Sequence, residues 1–118
     1  MSRKSAQTSA SPGRDRARTF ARSTELALKV LGRKWTATIL LTLQRRPCRY
    51  RDFRRDIPDL SDKVLTERLR ELQVTGLIVR EDNCSNSYSL SQRGESLRSL
   101  LEELHVWGNA HAKALSRP

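Results

Sequence analysis

The sequence has few aromatic residues, only two cysteines, and no apolar run of the roughly 18 residues that a membrane-spanning helix needs. Two cysteines in 118 residues exclude a disulfide framework and are typical of a reducing compartment. The N-terminus has no apolar segment of the kind that directs secretion. We therefore expect a cytoplasmic protein with no membrane partner. An aromatic content of 5% beside seventeen leucines favours helices over strands.

Positive charge is in excess. The chain carries 23 Lys and Arg against 13 Asp and Glu, a formal net charge of +10, and a domain this basic most often binds nucleic acid. The length suits one domain. Residues 1–18 lack apolar periodicity, so we interpret them as a disordered basic tail and residues 19–118 as the folded domain. The tail is alternatively a basic arm that adds phosphate contacts or enters a minor groove.

The predicted elements follow the order of a winged helix-turn-helix. Apolar spacing predicts five helices. The first begins at Ser23, the next three span about 34–44, 51–57 and 62–75, and the last runs from Ser91 to about Leu115. Residues 77–79 and 87–90 read as the strands of a hairpin, and residues 48–50 as a strand or a turn. The expected fold is mainly α with a small β-hairpin wing (α+β).

One face of the helix over 62–75 is polar. Leu65, Leu69 and Leu72 share the apolar face, and the opposite side carries donors and acceptors that can reach base edges in a major groove. The DNA-contact candidates on this helix and at its predicted N-cap are Ser61, Lys63, Thr66, Glu67 and Arg70. The alternative is an ordinary solvated face, which every amphipathic helix has.

Arginine is concentrated just before this helix. Residues 45–55 hold six arginines against one aspartate, a net charge of +5. We expect five of these arginines to hold the DNA backbone: Arg46, Arg49, Arg51, Arg54 and Arg55. Tyr50 and Phe53 lie among them and are interpreted as core anchors rather than as stacking platforms.

Several motifs resemble one known family. LGRKW over residues 31–35, RYRDFRRDIP over 49–58 and LSDKVLTERLREL over 60–72 are similar, in order, to HxlR-type winged-helix regulators, relatives of the MarR group. GLIVR over 76–80, YSLSQRG over 88–94 and WG over 107–108 continue the match. The resemblance implies a dimeric bacterial transcription factor, commonly a repressor, that often responds to electrophiles, oxidants or small aromatic compounds. Oxidant-sensing members usually carry a cysteine where this chain has Arg22 or Ser23.

The terminal helices are the expected dimerisation helices. The last helix is longer than a winged core requires and carries an apolar row that one core is not expected to cover. We expect this row to pack with the N-terminal helix of a second copy as well as with its own. The expected interface residues are Leu26, Val30, Leu97, Leu101, Leu104 and Trp107. A homodimer then recognises an inverted-repeat operator in double-stranded DNA.

Catalysis and cofactors find no support in the sequence. No Cys/His cluster has zinc spacing, and no phosphate loop or nucleophile-base set is readable, so we expect no enzyme, metal or cofactor. Cys48, between Arg46 and Arg49, and Cys84, at the predicted wing tip, are the possible redox residues. A small-molecule effector is a possible partner. The alternative functions are a small basic RNA-binding protein and a winged-helix interaction module that has lost DNA binding.

Overall fold

The computed structural model describes residues 12–82 and 86–117, which divide between Lys34 and Trp35 into two compact units. In the first unit, helix α1 spans Pro12–Leu31. Proline suits a helix start because its missing N–H would have no partner there, and Asp15 and Lys29 complement the helix dipole at its two ends. The helix ends at Gly32, whose N–H donates to the Leu28 carbonyl at 2.7 Å.

The start of α1 corrects the expectation of a disordered tail to residue 18 and a helix from Ser23. Residues 12–18 are helical, whereas residues 1–11 lie outside the described part of the chain. Residues 13–22 are all exposed, so no buried face gives the first half of the helix an apolar period. The Thr19 and Ser23 hydroxyls donate to carbonyls one turn earlier, at 3.0 and 2.8 Å, and are thus accommodated inside the helix.

The second unit has the winged helix-turn-helix order expected from the sequence. Its elements are α2 (Thr36–Arg45), α3 (Tyr50–Asp56), α4 (Asp62–Val74), β1 (Ile78–Arg80), β2 (Tyr88–Leu90), α5 (Gln92–Glu95), α6 (Arg98–Ala110) and α7 (Ala112–Leu115). The two strands are antiparallel, with Ile78 opposite Leu90. Cys48 makes an isolated antiparallel bridge to Tyr88 through two backbone hydrogen bonds of 2.9 and 2.7 Å, so the segment left open as strand or turn contributes one bridging residue beside β2.

A leucine-rich core holds the helix-turn-helix against the hairpin. Its fully buried members are Ile39, Leu40, Phe53, Leu60, Leu65, Leu72, Ile78 and Leu101. The Ser61 hydroxyl accepts from the Val64 N–H at 3.2 Å, which confirms the predicted N-cap of α4. Gly76 ends the helix region with φ +77°, a left-handed conformation that glycine adopts without steric cost.

The C-terminal segment is broken into three helices, so the prediction of one long helix was wrong. Ser91 caps α5 as expected, by accepting from the Gly94 N–H at 3.1 Å. Gly94 lies so close to the hairpin that a Cβ there would overlap the Leu77 carbonyl oxygen. The chain then turns at Ser96–Leu97 before α6, on which Leu101 enters the core. Residues 91–96 hold no apolar side chain and the turn itself has no glycine or proline, so apolar periodicity does not reveal where the chain turns.

Candidate nucleic-acid interface

The exposed face of α4 presents one row of polar side chains. Lys63, Thr66, Glu67 and Arg70 are all exposed and line an open depression together with Asp62. Within residues 12–82 and 86–117, neither Lys63 nor Arg70 makes an ion pair, so both cations are available to an external anion or base edge. Ser61 is exposed at the N-terminus of the helix, where its hydroxyl serves as the cap. The geometry suits a helix that enters a groove by this face.

The first residue of α3 holds the first turn of α4. The Tyr50 hydroxyl lies 3.1 Å from Asp62 Oδ1, 3.2 Å from the Asp62 carbonyl oxygen and 3.3 Å from Thr66 Oγ1. Arg54 Nε contacts the same Asp62 Oδ1 at 2.8 Å, and its guanidinium also donates to the Leu60 carbonyl. Phe53 is fully buried, as expected of a core anchor, but Tyr50 is half-buried and has a polar role that residue spacing did not indicate.

The arginine cluster is partly neutralised from within. Arg46 lies 3.6 Å from Asp52 and 3.8 Å from Asp56, and Arg55 lies 3.4 and 3.0 Å from the same two carboxylates. In the described segments, Arg49 and Arg51 are exposed and form no ion pair. The five arginines expected to act alike are therefore of two kinds, because folding brings Asp56 and Asp62 to the cluster as well as Asp52.

Asp52 also supports the start of α3. Its carboxylate accepts from the Arg49 N–H at 2.8 Å, which is the hydrogen bond of a capping box in which the N3 side chain binds the N-cap backbone. This backbone hydrogen bond, followed by the charges of Arg55 and Arg46, holds the pKa of Asp52 below its usual range. The carboxylate is thus committed to its ionised form and to the local arginines.

The wing carries one more cation. Arg80 Nε donates to Asn86 Oδ1 at 3.0 Å and lies 3.9 Å from an Asp82 carboxylate oxygen, and its guanidinium stands 5.9 Å from the centre of the Tyr88 ring. Asn86 adopts φ +49°, in the left-handed region that turns use. Cys84, named as a possible redox residue, lies outside the described residues.

Cys48 is buried and held as a thiol. Its side chain is part of the core, with the residue only 1% exposed, and its S–H donates to the Arg46 carbonyl at 3.4 Å. Burial raises the pKa of the Cys48 thiol and outweighs the lowering by Arg46, so the neighbouring cations do not hold this cysteine as a thiolate. No group of three or more potential metal ligands occurs among the described residues.

The apolar residues named for a dimer interface differ in exposure. On α6, Leu104 is 51% exposed and Trp107 56%, and on α1 Leu26 is 60% exposed. Val30 and Leu97 are half-buried. Leu101 has no exposed surface, so its assignment to the interface is corrected: it belongs to the core of the second unit. No helix among the described residues is long and apolar enough to cross a membrane.

Comparison with known proteins agrees with this geometry. The model of the HxlR-like helix-turn-helix family matches residues 30–116. The uncharacterized HTH-type transcriptional regulator YkvN of Bacillus subtilis is 35% identical over 98 residues, 80% of this chain and 83% of YkvN. The reduced form of the redox regulator HypR superposes with a TM-score of 0.72 at 29% identity, over 79% of this chain and 96% of that one.

A quinone-bound regulator, YodB from B. subtilis, has a TM-score of 0.66 at 30% identity, over 75% of this chain and 96% of its own. The family match covers most of the second unit, including α2 to α4, both strands and α6. The chain therefore belongs to the HxlR-like helix-turn-helix family and is a transcriptional regulator with a winged helix-turn-helix DNA-binding fold.

Proposed function

We propose that the protein is a homodimeric repressor that binds an inverted-repeat operator through α4. The observation that carries the proposal is the exposed row on α4, where Lys63, Thr66 and Arg70 stand on the side opposite the buried leucines. Lys63 and Arg70 make no ion pair within the described ranges, and lysine and arginine donate to guanine O6 and N7 in a major groove. We assign base contacts to this row.

Phosphate contacts are assigned to the arginines before α4. Of the five arginines expected to hold the DNA backbone, Arg49 and Arg51 are exposed and form no ion pair in the described segments, so they reach a phosphate without breaking an internal ion pair. Arg46, Arg54 and Arg55 must first release or share a carboxylate. We therefore expect each of these three arginines to contribute less to DNA binding than Arg49 or Arg51 does.

Two copies are proposed because large apolar side chains stay exposed on α6. Leu100, Leu104 and Trp107 are each more than half exposed, and exposed apolar groups of this size commonly mark an interface. Leu26 on α1 is similarly exposed and is assigned to the same assembly. Two α4 helices related by a twofold axis then contact half-sites centred about one or two helical turns apart, roughly 10 or 20 base pairs.

The test is selection of bound duplexes from a library randomised over roughly 30 base pairs, enough for two half-sites two turns apart. We expect enrichment of an inverted repeat and a light-scattering mass of twice 13.5 kDa at micromolar concentration. Arg70→Ala is expected to weaken operator binding by about 1–3 kcal/mol and to relax one base position in each half-site. The matched control is Lys113→Ala, which removes an exposed cation on α7 outside the helix-turn-helix.

Three results would contradict the proposal: no enriched sequence, a monomer at micromolar concentration, or equal effects of Arg70→Ala and Lys113→Ala. Repression is tested separately with a reporter whose promoter overlaps the selected site, where expression of the protein is expected to lower reporter output. An increase in output would instead identify an activator. We also propose a small-molecule effector, on the similarity to quinone-bound YodB, and expect it to shift the population of the DNA-competent dimer.

A further inference from the structure

Thr66 does not stand alone on the exposed face of α4. Its Oγ1 lies 3.3 Å from the Tyr50 hydroxyl, which is also 3.1 Å from Asp62 Oδ1 and 3.2 Å from the Asp62 carbonyl oxygen. Asp62 and Thr66 are one helical turn apart, so Tyr50 spans the first turn of α4 from the neighbouring helix. The group that touches Thr66 is therefore on the neighbouring helix α3.

The hydrogens of this cluster have one favourable arrangement. A phenol has a single hydrogen and Asp62 presents two acceptor oxygens to it, one of them charged. If Tyr50 donated to Thr66, both Asp62 oxygens would face phenol lone pairs with no hydrogen between them. We therefore assign the Tyr50 hydroxyl as the donor to Asp62 and as the acceptor from Thr66. Arg54 Nε, 2.8 Å from the same Asp62 Oδ1, holds the carboxylate in place.

We infer that Tyr50 sets the specificity of the proposed operator contact by committing the only hydroxyl hydrogen of Thr66. Thr66 Oγ1 then meets the groove as an acceptor, and the donors that bases offer there are the amino groups of adenine and cytosine. Guanine O6 and thymine O4 are acceptors and are disfavoured at that position. The inference rests on the proposed function. It states which base groups Thr66, one residue of the exposed row on α4, selects.

The preference is one of base-pair orientation. Each pair carries one amino group and one keto group in the major groove, so reversing the pair exchanges their places. Thr66 locked as an acceptor distinguishes the two orientations. Without the Tyr50 hydroxyl, the Thr66 hydroxyl rotates freely and can donate or accept, so it tolerates both.

The experiment compares the full chain with Tyr50→Phe on the duplex library and then on the selected operator and its pair-reversed versions. For the unsubstituted protein we expect about three- to tenfold weaker binding when one pair in a single half-site is reversed, the range of a single hydrogen bond. Tyr50→Phe keeps the ring and is expected to reduce this discrimination below twofold (less than one such bond) while leaving other positions unchanged. Tyr88→Phe is the matched control, because it removes the chain's other phenol hydroxyl from β2.

Variants of Thr66 distinguish a specific contact from a structural one. In a Thr66→Val background, Tyr50→Phe is expected to have no further effect at that pair, whereas Thr66→Ser keeps both the discrimination and its dependence on Tyr50. Unfolding midpoints identify any variant that weakens the fold. Equal loss of binding at every position in Tyr50→Phe, or unchanged discrimination, overturns the inference. If the unsubstituted protein enriches no sequence, the proposed function itself fails.

Discussion

Two arginines of the same cluster are expected to respond differently to salt. Arg51 is exposed and has no ion pair in the described part of the chain, whereas Arg55 lies 3.0 Å from Asp56 and 3.4 Å from Asp52. Arg51→Ala and Arg55→Ala remove the same charge from neighbouring positions, so their long-range electrostatic effects match. The difference between them isolates the direct phosphate contact.

The magnitude follows from counterion release. One lost phosphate contact makes the slope of log K against log salt shallower by about 0.9, and a dimer loses two, which is about 1.8. Over a fourfold increase in salt, the affinity of Arg51→Ala should therefore fall about 12-fold less than that of the unsubstituted protein. For Arg55→Ala we expect less than half of this slope change, because its guanidinium already has two internal carboxylate partners.

The assay is a fluorescence-anisotropy titration of the selected operator at four or more salt concentrations. We expect each substitution to change the salt slope alike on DNA of every sequence. Equal slope changes for the two variants would show that internal ion pairing does not determine which arginines contact phosphate. An unchanged slope in Arg51→Ala would remove this residue from the interface.

Three further predictions concern the core, the thiol and the capping carboxylate. Leu101→Ala should cost about 2–5 kcal/mol of stability at every protein concentration, because it opens a cavity in the core, whereas Leu104→Ala should mainly weaken self-association; thermal melts over a concentration series and light scattering distinguish the two. Diamide or mild peroxide should leave operator affinity unchanged, since the Cys48 thiol is buried with a raised pKa; a large loss that Cys48→Ser abolishes would make this thiol the sensor. The pKa of Asp52 is lower in the folded than in the unfolded protein, so the stabilisation from its carboxylate is present above the unfolded pKa and is lost as pH falls through the folded pKa. Asp52→Asn should therefore lower the melting temperature at pH 7 and make it depend less on acid pH. A melting temperature that varies with pH as in the unsubstituted protein would contradict the capping role.

Much of the site could be predicted because local signals agreed. The leucines of α4 recur at helical spacing, Ser61 offers an oxygen to the helix N-terminus, and Gly76 permits the left-handed turn that follows. These features depend on residues within a few positions of one another. The polar row on α4 and the order of elements follow from them directly, and the structure confirms both the N-cap and the fold class.

The winged-helix order, the face of α4 that leaves the core and the excess of positive charge each follow from local spacing or composition. Which charges and hydroxyls meet depends on tertiary packing. Asp56 and Asp62 reach the arginines, Tyr50 reaches Thr66 across 16 positions, and Leu101 turns inward while Leu104 stays exposed. These contacts depend on how α3, α4 and the broken C-terminal helices pack against one another. Apolar periodicity and charge counts describe only neighbours along the chain, so they do not predict contacts between separate elements.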